Sequence, residues 1–160
     1  MIPTMRTGRS SLAETDTELD PMLMIKIQSL LMTFMERATV HAAAYVSEGN
    51  RNTLTGMDIV YALKYCAHTF FHEPDLEASV DATMKKLEDA EDTETDDETE
   101  TDDENETGED PFVRIEQTEN PLILKMNRYV DEWKDWAPSD EVEIMVKSAI
   151  DKMELQCELE

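Results

Sequence analysis

The run RNTLTGMDIVYALK, Arg51 to Lys64, decides how the rest of the chain is read. It contains a helix entry. Thr55-Gly56-Met57-Asp58 puts a hydroxyl cap three residues ahead of a carboxylate, the reciprocal pairing that satisfies the first free N–H groups of a helix. Asp58 also suits the positive end of that helix. Ile59, Val60, Leu63, Cys66 and Ala67 then fall on one apolar face. Immediately upstream, Gly49 and Asn50 are stop signals for an earlier helix. A short polar loop therefore joins two helices.

The earlier helix is long. Leu23, Ile27, Leu30, Leu31, Phe34, Met35, Ala38, Ala42 and Tyr45 recur at spacings of three and four, which is the helical period. Asp20-Pro21 supplies a cap and a proline at the first helical position. Neither proline nor glycine interrupts the run between Pro21 and Gly49, so the helix spans about 40 Å at 1.5 Å per residue. Met24, Ile25, Met32 and Val40 widen its stripe beyond one narrow face. A helix this long and apolar needs a second chain or several flanking helices to cover it.

From about Gln28 to Thr69 this arrangement resembles the histone fold, most nearly the core histone of the H-four type, the partner of H-three. Leu31, Phe34, Glu36, Ala42, Tyr45, Arg51, Thr53, Thr55, Met57, Asp58, Val60, Tyr61, Ala62, Leu63, Lys64 and Thr69 carry the likeness. The MDIVYALK run is its specific part. Histone-fold subunits of the general transcription machinery share the scheme. The resemblance implies an all-α chain with a long central helix flanked by short ones. It implies a heterodimer with an H-three-like partner, with Leu31, Phe34, Met35, Ala38 and Leu63 in the seam. It makes Tyr45 and Tyr61 contacts to a second dimer. Arg51 and Thr53 become the DNA-phosphate contacts of the second loop. Arg51 and Asp58 are expected to pair across that loop, where a bidentate bond would fix its shape; the bland alternative is two unrelated surface charges.

The charge pattern departs from that family. Its flanking loop lysines are Asn50 and Asn52 here, and the basic pair of its first loop is Thr17 and Glu18. Each missing phosphate contact removes salt-dependent affinity, and the net charge of −24 opposes approach to DNA. DNA is therefore expected to be met through the assembled complex, with a basic partner carrying the pair.

The charge is uneven. Residues 1–80 hold six Lys/Arg against ten Asp/Glu, and residues 81–160 hold eight against twenty-eight. Residues 1–19 read as a short polar tail. The positions of a first histone helix, Met5 to Glu14, offer only Leu12 and Ala13 for packing, so that helix is weak or absent. Residues 20–87 form the histone-like unit, closed by a third helix from Pro74-Asp75 to Leu87 with Leu76, Val80, Met84 and Leu87 on one face. Residues 88–110 carry fifteen acidic residues and no basic one, the composition of a disordered linker. Two readings stand for it: a solvated spacer, or a segment that competes for basic histone or DNA-binding surfaces.

Residues 111–160 read as a helical hairpin. Asn120-Pro121 opens its first helix, with Leu122, Met126, Tyr129, Val130 and Trp133 inward, ending near Trp136-Ala137-Pro138. Ser139 or Asp140 caps the second, with Val142, Met145, Val146, Ala149, Ile150 and Met153 inward. The hairpin either docks on the histone-like unit, in place of the missing helix, or serves as a partner-binding arm.

Nothing in the sequence assembles a catalytic centre. There are four glycines and no phosphate-binding loop. Cys66, His68, His72 and Glu73 can be drawn as metal ligands, but their spacing is not a strong zinc pattern, and Cys66 suits a small apolar role. The chain is expected to be no enzyme and to hold no metal or cofactor. Two distant cysteines, no signal peptide and no apolar run of about 18 residues predict a soluble intracellular protein, in the nucleus on chromatin or packaged in a virion. Three functions are compatible with this reading. The first is a divergent acidic histone-like protein in nucleosome-like DNA packaging. The second is a histone-fold scaffold subunit of a transcription complex without direct DNA contact. The third is an acidic histone-binding chaperone.

Overall fold

The computed structural model describes residues 20–91 and 111–159. Its elements are α1 (Pro21–Glu48), α2 (Gly56–Thr69), a 3-10 turn (Phe70–His72), α3 (Leu76–Glu91), α4 (Pro121–Asp131) and α5 (Glu141–Leu159). The described residues are all-α. The expected first helix at Met5–Glu14 and the acidic residues 92–110 lie outside them.

Local chemistry sets the helix ends. Asp20 Oδ1 accepts the Met22 N–H at 3.1 Å, opening α1. At its other end the Arg51 N–H bonds the Val46 carbonyl and the Asn50 N–H bonds that of Ser47, both at 3.1 Å. Asn50 takes the left-handed conformation this closure needs, φ 52°, and asparagine is among the few side chains that tolerate it. Thr55 and Asp58 form the reciprocal cap at the start of α2. The third helix runs to Glu91 rather than stopping at Leu87. Glu and Ala are good helix formers, so the head of the acidic run is helical.

Helix α2 is the central strut, packed against α1 on one side and against α4 and α5 on the other. Val60, Tyr61, Ala62, Leu63, Lys64, Cys66 and Ala67 are all buried. One continuous core joins Ala38, Ala42 and Tyr45 of α1 to Ile123, Met126, Trp133 and Ile150 of the C-terminal part. The C-terminal helices thus dock on the N-terminal unit.

Their inward faces differ from expectation. In α4 the buried positions include Ile123 and Asn127 besides Met126. The helix ends at Asp131, and Trp133 turns inward to donate its Nε1–H to Asp151 Oδ1 at 2.7 Å. In α5, Val142 and Met145 are exposed, as is Ala149. The docked face is Val146, Ile150 and Met153. The helix is rolled by its polar bonds. Lys64 Nζ of α2 meets Glu154 Oε1 at 2.8 Å, and Lys147 Nζ donates to the Trp136 carbonyl at 2.6 Å. Near the end of α5, Cys157 Sγ lies so close to Gly56 that a Cβ there would stand 2.7 Å away.

Candidate interaction surface

The loop between α1 and α2 is locked. Arg51 Nη1 donates to Asp58 Oδ2 at 3.0 Å, and Nη2 donates to Oδ1. Asp58 also accepts the Thr55 N–H at 2.8 Å and the Thr55 hydroxyl at 2.7 Å. The guanidinium is only 7% exposed, the carboxylate 0%, and the guanidinium carbon sits 5.6 Å from the Phe112 ring centroid. The paired clamp is therefore present. In the same geometry the Arg51 cation, expected as a phosphate contact, is largely buried and paired with Asp58. Thr53 stays half-buried in the loop.

Tyr45 and Tyr61 are also covered. Tyr45 is 0% exposed and Tyr61 6%. The Tyr45 hydroxyl donates to Asn127 Oδ1 at 2.9 Å and accepts the Ile115 N–H at 3.1 Å. Phe112 packs on both rings, 6.0 Å from Tyr45 and 4.9 Å from Tyr61 between centroids. Burial raises both phenol pKa values. Arg114 fastens the cover by a two-bond pair with Asp131, both at 2.8 Å, and Thr118 bonds Glu48 at 2.7 Å. The chain's own residues thus cover both tyrosines, which were expected to meet a second dimer. Asn127 is the residue sequence reading missed. An asparagine one position after the apolar Met126 carries no periodic signal, and its role emerges only with Tyr45 opposite.

The expected dimer seam divides. Ala38 is 0% exposed and Leu63 4%; both lie inside the chain's own core, because small alanines let α1 and α2 approach closely. Phe34 turns inward onto Phe70, edge to face at 5.0 Å. Leu31 and Met35 lie outside, with Leu23, Met24, Ile27 and Met32, each 40–59% exposed.

The N-terminal half of α1 is inverted relative to a normal surface helix. What it buries against α3 is polar: Ser29 and Thr33. The Thr33 hydroxyl lies 2.8 Å from the Ser29 carbonyl, to which it donates, and pairs with the Thr83 hydroxyl at 3.0 Å. Arg37 bonds Ser79 at 3.1 Å and pairs with Glu73 at 3.4 Å and Asp75 at 3.5 Å. What it leaves to solvent includes the apolar side chains Met24, Ile27, Leu31, Met32 and Met35, with Gln28 among them and Lys26 and Glu36 exposed nearby. An exposed apolar stripe on a helix is a candidate interaction surface.

The residues once drawn as a metal set are dispersed in their roles. Cys66 is buried, and burial, with the Glu73 carboxylate, pushes its thiol up to about 12. His68 stacks on Tyr129 at 4.3 Å and leans on Trp136 at 4.4 Å. Among the described residues no cluster of His, Cys, Asp and Glu is placed to hold a metal ion, and no helix is long and apolar enough to cross a membrane. In comparisons with protein-family models, curated proteins and solved structures, none matches the chain.

Proposed function

We propose that the chain is a dimerising subunit of histone-fold type, which pairs through the exposed face of α1 with an H-three-like partner and enters a DNA-packaging assembly in which the partner supplies the cations. The observation that carries this reading is the inversion of α1. A helix that buries Ser29 and Thr33 and exposes Leu31, Met32 and Met35 is built for a second surface. Covering that apolar stripe supplies the favourable term in association, set against about 4–15 kcal/mol of lost freedom. The helix–loop–helix run Arg51–Lys64, with its clamp closed, supports the family assignment. Assembly beyond the dimer has no support from Tyr45 and Tyr61, which are covered.

A second reading, a scaffold subunit without DNA contact, is favoured by one observation: Arg51 is committed to Asp58. One experiment separates the two. The full chain is mixed with a core histone of the H-three type and sized by sedimentation, and the complex is titrated with duplex DNA at two salt concentrations. A one-to-one complex, abolished by Leu31→Asp, with salt-dependent DNA binding supports packaging. A complex without DNA binding supports the scaffold. No complex at micromolar concentration overturns the pairing partner named here.

A further inference from the structure

His68 sits at the junction where α4 and α5 close on α2. Its ring lies parallel to Tyr129, with an interplanar angle of 16°, and edge-on to Trp133 at 5.9 Å. Trp136 closes the third side. Nε2 is buried and has no hydrogen-bond partner. We propose that His68 is a proton-operated release for the docking of α4 and α5 on α2.

The charged groups facing the ring come from every element around it. Glu132 follows α4, Glu143 and Lys147 belong to α5, and His72 lies near Glu143 from the 3-10 turn. Lys64, one turn earlier on α2, lies 5.5 Å from the Trp133 ring centroid. The two carboxylates favour a protonated ring, but each has another hydrogen-bond partner. Glu132 accepts from Arg128 Nε at 2.9 Å, and Glu143 accepts the Ser139 N–H at 2.7 Å and hydroxyl at 2.8 Å. Lys147 opposes protonation. Burial outweighs the rest and holds the imidazole below its ordinary value of 6.5. A charge created on Nε2 would be buried with no hydrogen-bond acceptor aimed at it.

The sign follows from linkage. Above 6.5 the ring is neutral in both the docked and the free state, and docking is at full strength. As pH falls below 6.5 the free state takes up the proton first, so docking weakens, by up to about tenfold per pH unit until the docked ring also protonates. A second half-buried imidazole, His41, lies at the α1–α2 contact, edge-on to Tyr65 at 4.8 Å. Its Nδ1 is likewise unpartnered, and burial and Arg37 lower its pKa. It shares the sign but not the location, and so separates local release from general acid loosening.

Trp133 and Trp136 are the chain's two tryptophans, and both line the His68 box. Tryptophan emission of the full chain, followed from pH 8 to 5.5, reads this junction above the range where exposed carboxylates titrate. The expected result is a reversible change in emission with a midpoint below 6.5, absent in His68→Phe and retained in His41→Phe. Flat emission in the parent chain, or a transition that survives in His68→Phe, overturns the proposal. Should His68→Phe fail to fold, the imidazole carbon resonances of the parent chain's three histidines decide instead. His68 titrating together with the emission change supports release, and titration at or above 6.5 overturns it.

Discussion

Removing the Asp58 carboxylate is the sharpest test of how the loop holds α1 to α2. Asp58 is fully buried and accepts two bonds from Arg51 and two from Thr55. Asp58→Ala leaves the Arg51 guanidinium, itself 7% exposed, without its counter-charge and removes the carboxylate half of the cap on α2. Breaking a buried pair by deleting one partner costs about 3–5 kcal/mol. The unfolding entropy of about 2.1 cal/mol/K per residue, over the roughly 120 described residues, is about 0.25 kcal/mol/K. The melting temperature should therefore fall by about 12–20 °C. Thermal unfolding followed by circular dichroism measures this directly. A double-mutant cycle with Arg51→Met isolates the pair, because the double variant has no orphaned cation and should recover part of the loss. A drop of under about 3 °C for Asp58→Ala, or strict additivity in the cycle, would refute the clamp as the fastening of this loop.

Three further outcomes follow from contacts described above. Glu154→Gln leaves Lys64, only 3% exposed, facing a neutral partner and should cost about 1–3 kcal/mol in denaturant unfolding, while Lys64→Met with Glu154→Leu should restore most of it. Tyr45→Phe removes the hydroxyl shared by Asn127 and the Ile115 N–H and should cost about 1–3 kcal/mol, with faster amide exchange at Ile115 as its local signature. Gly56→Ala puts a methyl 2.7 Å from Cys157 Sγ; overpacking of this kind costs about 1–3 kcal/mol, and Cys157→Ala should relieve it. Equal losses for Gly56→Ala with and without Cys157→Ala would show that the close approach is not the cause.

Much of the helical layout was legible in the sequence because its signals are local. Asp20-Pro21, Thr55 with Asp58, and Asn120-Pro121 mark helix starts through bonds within a few residues, and α1, α2 and α4 begin there. What escaped reading depends on partners far along the chain. The Ser29–Thr33 face of α1 looks like a solvent face until Thr83 is set against it. The roll of α5 depends on Lys64 meeting Glu154, ninety positions away. Ala38 and Leu63 fit a seam by pattern, and only the closeness of α1 and α2 shows that the seam is internal. Arg51 illustrates both cases. Its pairing with Asp58 follows from spacing, but its burial beneath Phe112 does not.

The position of α2 at the centre has a consequence for how the chain is made. Its contacts with α1 join residues close in sequence, while those with α5 wait for residues about ninety positions later. At synthesis rates of about 5–20 residues per second, Lys64 waits roughly 5–20 seconds for Glu154, while Tyr61 and His68 meet Phe112 and Tyr129 earlier. Closing the intervening loop is cheap, because each doubling of its length adds only about 0.6 kcal/mol. The penalty is delay, since contacts of long sequence separation form slowly. During that interval the nascent chain offers two uncovered surfaces, the α1 stripe and the side of α2 that α5 later covers.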